Sequence, residues 1–409
     1  MTTGISGGDT AWVLVATAMV MLMTPGLALF YGGLVRRKNV LSVMMYCLGA
    51  YAVVVLVWTV IGFSLVFGRD VHGIIGGLDY LGLKGLSVST VWPGTRVPAL
   101  AFVAFQSVFA AIATAIIASA IAEKGRVDSW LLFSTLWVML VYAVIGHWLW
   151  GGGWASKLGA IDFAGGMVVH IASGFSALAL ALVAGKRRGV NSVEPVPHNL
   201  PLVLTGTGLL WFGWLGFNAG SALAANGLAA NALLVTNIAA SAGGLAWALA
   251  AWLNHGRPGS VAFASGAVAG LVAITPAAGY VGPLAAIVIG GVAGMWSYYW
   301  VSYRIRRGLD EVLDAWAVHG MSGVWGSIAT GVFADPSVNN VAGLLYGNVH
   351  LFLAQLAATT ASTVWAFTVS YAIAWVVART IGWRVPEQAE YIGLDLSELG
   401  EEAYETLPS

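Results

Sequence analysis

Between Asn199 and Gly256 the chain carries no Lys, Arg, Asp or Glu. Soluble domains hold about 25% charged residues, so a stretch this long without one has nothing to present to water. A membrane-crossing helix needs about 20 mostly apolar residues. The stretch is too long for one crossing, and the turn-like Ala225-Asn226-Gly227 divides it into two. The same pattern runs through the chain: of 409 residues, 59% are apolar and 9% charged. Gaps between charges give eleven spans, over about 11–35, 42–67, 99–121, 129–150, 164–185, 200–221, 231–254, 260–275, 282–303, 317–333 and 348–378. The fold class is therefore an all-α integral membrane protein in a lipid bilayer, and a water-soluble enzyme is excluded. A formal net charge of zero gives no hint of nucleic acid. The single cysteine, Cys47, excludes an intrachain disulfide and a Cys-based metal cluster. No metal ligand set and no cofactor motif is read. The 53 glycines fit helices whose backbones approach closely.

Basic residues set the orientation. With the N-terminus outside, fourteen of the 18 Lys and Arg fall in cytoplasmic loops, among them Arg36, Arg37, Lys38, Lys124, Arg187 and Arg304. Arg69, Lys84, Arg96 and Lys157 fall outside. No basic cluster precedes the first apolar run, so it reads as a retained span and not a cleaved leader. The membrane domain covers 1–380. The tail, 381–409, carries Glu387, Glu390, Asp395, Glu398, Glu401, Glu402 and Glu405 and reads as a solvated cytoplasmic appendage.

An internal repeat is visible. Val168-Val169-His170-Ile171-Ala172-Ser173-Gly174 resembles Ala317-Val318-His319-Gly320-Met321-Ser322-Gly323, in the fifth and tenth spans. Asp162 precedes the first histidine and Asp314 the second. Five spans per repeat, about 11–190 and 200–335, followed by a last helix at 348–380, give opposite topologies to the two halves. Inverted repeats commonly place a transport site at the midplane.

Ionisable groups inside a membrane are costly and mark function by default. His170 and His319, at equivalent places in inverted halves, are expected to meet, and two neutral rings can share one hydrogen bond. The plainer reading gives each ring its own backbone carbonyl. Asp162 is read as a helix N-cap that could also draw cations to an outer mouth, and Asp314 as the corresponding cap. Trp148, Trp150 and Trp154 surround Gly151-Gly152-Gly153. They fit ordinary interfacial anchoring or a ring face for a cation, worth about 0.5–2 kcal/mol. Aromatics around Gln106 and Trp214 fit core or lipid-facing packing.

Together these segments resemble the ammonium transporter family. The resemblance is carried by Pro25-Gly26 through Phe30-Tyr31-Gly32-Gly33-Leu34, by Asp162-Phe163-Ala164-Gly165-Gly166 with Val168-Val169-His170, and by Pro197-His198-Asn199-Leu200-Pro201. It continues through Gly213-Trp214, Gly216-Phe217-Asn218-Ala219-Gly220-Ser221, Thr275-Pro276-Ala277 with Gly279-Tyr280, and Val318-His319-Gly320. In the tail it ends on Arg384-Val385-Pro386-Glu387, Gly393-Leu394-Asp395 and Glu402-Ala403-Tyr404. The resemblance implies an outer recruitment site for ammonium at Trp150, Phe109 and Ser221, supported by Asp162. It implies a phenyl gate at Phe109 and Phe217, with Gln106 and Trp214 nearby, and a pore lined by His170 and His319. Leu27, Phe30, Tyr31, Leu210 and Ala315 are expected towards or beside the inner pore. It further implies homotrimers, a location in the plasma (inner) membrane, and in some members a PII-type cytosolic partner or a sensor role. Met167 departs from the family's small hydroxyl residue, so a packing change is expected there.

The sequence also fits two other classes in part. Gly320-Met321-Ser322-Gly323 has the GxSG pattern of intramembrane serine proteases. A paired histidine also suits haem, although haem ligands recur along one helix and these do not.

Overall fold

The computed structural model describes residues 4–188 and 196–404. Nine helices among them are long and apolar enough to cross a membrane: Gly7–Leu34, Arg37–Phe67, Ala99–Ala120, Val127–Lys157, Gly166–Ala184, Leu200–Gly220, Gly227–His255, Pro283–Arg307 and Val349–Thr380. Ser260–Ile274 is shorter, and a further helix joins a wide π-helical turn, Trp316–Gly320, to Met321–Phe333. In chain order these are helices one to eleven, as the charge gaps predict. The boundaries move by a few residues because Asn and Ser caps, rather than charges, open several of the helices. Ser6, Asn199, Asn226 and Asn348 each accept backbone N–H bonds at a helix start.

Helices one and six cross closely. A Cβ on Gly206 would lie 2.4 Å from the backbone nitrogen of Phe30, so only glycine fits there. Helices five and ten cross in the same way: a Cβ on Gly174 would lie 2.2 Å from the backbone nitrogen of Gly320. Both crossings join one half of the chain to the other. The outward faces of helices seven, nine and eleven carry exposed Leu, Val and Trp side chains, as a lipid or protein neighbour requires.

On the face predicted to be cytoplasmic, charge is buried. Glu123 and Lys124 follow helix three with side chains shut off from solvent. Glu123 accepts from Arg36 Nε at 2.8 Å and Arg187 Nη1 at 3.0 Å, and Arg187 Nη2 reaches Asp310 at 2.6 Å. This cluster ties the ends of helices one, three, five and nine together. Despite its burial, Asp310 is pulled down to about 2 by Arg187 and Lys124, while burial lowers Lys124 to about 8. The Asp310 contribution to stability is therefore present above the ordinary carboxylate range and is lost as pH falls through about 2.

The tail differs from a solvated appendage. Its acidic count hides apolar residues that bury: Trp383, Val385 and Leu394 lose nearly all exposure. Glu390 binds Arg384 at 2.6 Å. Asp395 accepts the N–H groups of Leu41 and Ser42 at 3.0 and 2.8 Å, capping helix two from the far end of the chain. Tyr404 Oη lies 3.1 Å from His198 Nε2. Asp395→Ala is expected to weaken tail docking by about 1 kcal/mol, read as faster tryptic cleavage at Arg384.

Candidate functional site: an aromatic well, a histidine pair and an inner cavity

Helix three is among the most buried in the molecule and brings Gln106 and Phe109 to its inward face. Helix six brings Trp214, Phe217 and Ser221. Phe109 and Phe217 stack at 4.0 Å between centroids, 17° apart. Above them opens a cavity of about 420 Å³, lined by Gln106, Phe109, Trp150, Asp162, Ser221 and Tyr280 among others. Trp150 meets Phe109 edge-on at 6.3 Å. Its indole N–H donates to the carbonyl of Asp162 at 2.8 Å, which fixes the ring. The Ser221 hydroxyl donates to the Phe217 carbonyl at 2.8 Å, leaving its lone pairs free to accept. The Gln106 carboxamide oxygen is buried without a partner among the described residues. Ring faces and open acceptors, with no cation among the lining residues, suit a small cationic donor.

The Asp162 carboxylate does not point at that cavity as a free charge. It accepts four backbone N–H groups, from Gly165, Gly166, Met167 and Val168, at 2.7–3.1 Å. Gly165 takes φ of +111° to turn the chain into this cradle. The turn continues as a π-helical segment, Gly166–Ile171, that carries His170.

His170 and His319 meet beneath the phenyl pair. Their Nδ1 atoms lie 3.2 Å apart, and one ring therefore donates while the other accepts. Trp214 flanks both rings, with centroids 5.1 Å from His170 and 6.4 Å from His319, and its own N–H is held by Thr275 at 2.8 Å. His170 Nε2 is buried with no partner among the described residues. Below His319 lies an inner cavity of about 60 Å³ bounded by Leu27, Phe30, Tyr31, Leu210, Asp314 and His319. Ala315 does not line it; it packs where helix ten crosses Gly174. Met167 is buried and its sulfur accepts from Thr359 of helix eleven at 3.8 Å.

One expectation is corrected. Asp314 does not cap helix ten: its carboxylate binds Arg304 Nε at 2.5 Å. The cap is Glu311, whose Oε2 accepts from the Trp316 N–H at 3.1 Å. Glu311 precedes His319 by the same spacing as Asp162 precedes His170, and both pairs obey the 149-residue offset that relates the histidines. At that offset Asp314 matches Gly165, and it too has positive φ, +64°. A polar residue ahead of the second histidine was legible; which of the two turns to the helix was decided by backbone handedness. Gln355, on helix eleven, was missed. It grips Ile161 at both N–H and carbonyl, at 2.8 and 2.9 Å, bracing the Asp162 turn. Nothing in an apolar helix singles out one Gln.

Ser322, the residue of the GxSG pattern, is fully buried and its hydroxyl bonds to that of Ser297 at 2.6 Å. The direct contact between the histidines leaves no room for a porphyrin between them.

A polytopic helical protein with a cavity on either side of a narrow constriction of stacked rings has the form of a membrane transport protein. The match to known proteins narrows this. The family model for the Ammonium Transporter Family matches residues 11–404. Ammonium transporter Amt1 of Archaeoglobus fulgidus is 51% identical over 98% of this chain and 100% of that protein. The structure resembles Saccharomyces cerevisiae Mep2 at a TM-score of 0.86, with 34% identity over 93% of this chain and 88% of that one. It resembles a sensor Amt protein at 0.89, with 30% identity over 96% and 98%. The chain belongs to the ammonium transporter family.

Proposed function

We propose that this protein takes ammonium at the outer aromatic well, strips its proton, conducts ammonia past the histidine pair, and passes the proton separately through the same pair to the cytoplasmic side, so that transport carries charge. The observation that supports it best is the 3.2 Å contact between His170 and His319 at the constriction between the two cavities. Potassium resembles ammonium in size but has no proton to lose. A bare ion in a dry passage costs many kcal/mol, whereas ammonia enters as a neutral molecule. Trp150, Phe109, Ser221 and Gln106 supply ring faces and oxygen acceptors for the cation. The stacked Phe109 and Phe217 close the passage to water, and Asp162 holds the elements that carry Trp150 and His170.

The protein sits in the plasma membrane with the N-terminus outside and the C-terminus cytoplasmic, as its basic loops require. It assembles as a homotrimer through the apolar outward faces, and its cytoplasmic face, where the tail docks, is available to a PII-type regulator. Current from purified protein on a solid-supported membrane tests the reading. Ammonium pulses should give transient currents and potassium pulses none; equal responses to both would overturn it. Trp150→Ala should raise the KM for ammonium roughly 5- to 30-fold, the loss of about 1–2 kcal/mol of cation–ring attraction, with the maximal current little changed.

A further inference from the structure

The two halves of the pore are gripped unequally. On the outer side the Asp162 carboxylate holds the His170 helix through four N–H bonds. On the inner side Glu311, at the equivalent place, holds the His319 helix through one, from Trp316. Its second oxygen, Oε1, is buried and has no hydrogen-bond partner among the described residues. Ser119 Oγ, at the end of helix three, lies beside it, outside the geometry of a formed hydrogen bond yet close enough to favour the charged carboxylate. The other titratable or charged groups facing Glu311 are Tyr31 of helix one, Lys124 after helix three, Arg304 of helix nine, and Asp314. Arg304 is bonded to Asp314 and favours the charged form of Glu311 only through space, and Lys124 donates to the carbonyls of Gly185 and Asp310.

We propose that Glu311 is a positioning residue whose ionisation, set by cytosolic pH, tightens the turn that carries His319 and so sets the rate of the inner half of the pore. A charged carboxylate is a stronger N–H acceptor than a neutral carboxyl. Ionised Glu311 draws in the Trp316 N–H and the Ser119 hydroxyl, and the protonated form slackens both. Asp162 has four donors and keeps its grip. Burial, reinforced by Asp314, pushes Glu311 up to about 7, which places the change in the physiological range.

This inference rests on the transport reading above. Its test uses the full-length protein in excised membrane patches, with ammonium on the outer face and the cytosolic face perfused at set pH. If maximal current follows the ionised fraction of Glu311, it falls roughly tenfold between about pH 8 and pH 6, with KM unchanged because the outer well is untouched. Glu311→Gln, the neutral isostere, should give a small, pH-independent current equal to the acid limit of the parent. Ser119→Ala removes a donor that favours the charged form and should move the midpoint to higher pH. A parent current flat with cytosolic pH, a Glu311→Gln profile identical to the parent, or an unmoved Ser119→Ala midpoint would each overturn the inference while leaving transport intact. No ammonium current in the parent would overturn the transport reading and the inference together.

Discussion

Asp162→Ala is expected to abolish ammonium current, a loss of at least about 100-fold, although the protein still inserts and assembles. The argument is local. Removing the carboxylate leaves four buried N–H groups, on Gly165 to Val168, without their acceptor. Each such orphan costs about 1–3 kcal/mol, and together they exceed what a single turn can bear. The turn must unwind or admit water. His170 is two residues beyond it and rides on the same π-helical segment. Trp150 hangs by its indole N–H from the Asp162 carbonyl. A displacement of about 1 Å at either group costs on the order of 100-fold in a geometry-dependent step. Asp162→Asn should fare little better, because one oxygen now serves four donors and the amide nitrogen faces N–H groups it cannot accept from. The pattern of kinetic change separates this from a long-range field. If Asp162 only attracted cations, its loss would raise KM and spare the maximal current. Loss of maximal current, measured on a solid-supported membrane with protein of unchanged elution volume, supports the cradle. An unchanged maximal current would sink it.

How much of this could be read beforehand depends on whether a residue's partner is near in sequence. The eleven helices follow from gaps between charges, because lipid imposes one length on every crossing. The histidines were singled out because an imidazole in an apolar run is costly, and their equivalent placement in two inverted halves predicted their meeting. Asp162 was placed as a cap from its position at the start of the fifth span, just after Gly159-Ala160-Ile161. Long-range partners were not legible. Lys124 counted as an ordinary cytoplasmic charge, yet it is wholly buried on carbonyls of Gly185 and Asp310. Asp395 looked like one of many solvated tail carboxylates, yet it caps a helix more than 350 positions earlier in the chain. Asp314 and Glu311 are both acidic residues shortly before His319, and composition does not rank them. The 149-residue offset does, once it is applied to the acids as well as to the histidines.

The second large effect is expected at the histidines. Replacing His170 or His319 by Leu keeps the volume of the passage roughly constant and removes every polar atom that the ring presented. Ammonia, being neutral and small, should still pass. The proton should not, since nothing then bridges the 3.2 Å contact, and a positioned proton-transfer group typically contributes about 10²- to 10⁴-fold. Electrical current should therefore fall by at least about 100-fold, while ammonia flux, followed as alkalinisation of the lumen of proteoliposomes, persists. His170→Asp should act in the opposite sense. A carboxylate in the constriction offsets part of the cost of a bare cation, so potassium, excluded by the parent, should begin to carry current. The contrast between the two substitutions is informative because they alter the same position and shape but differ in charge. Selectivity by proton loss requires an uncharged, proton-passing constriction; selectivity by size would survive both changes. Currents from His170→Leu and His170→Asp that matched the parent in size and ion preference would show that the ring pair takes no part in sorting ammonium from potassium.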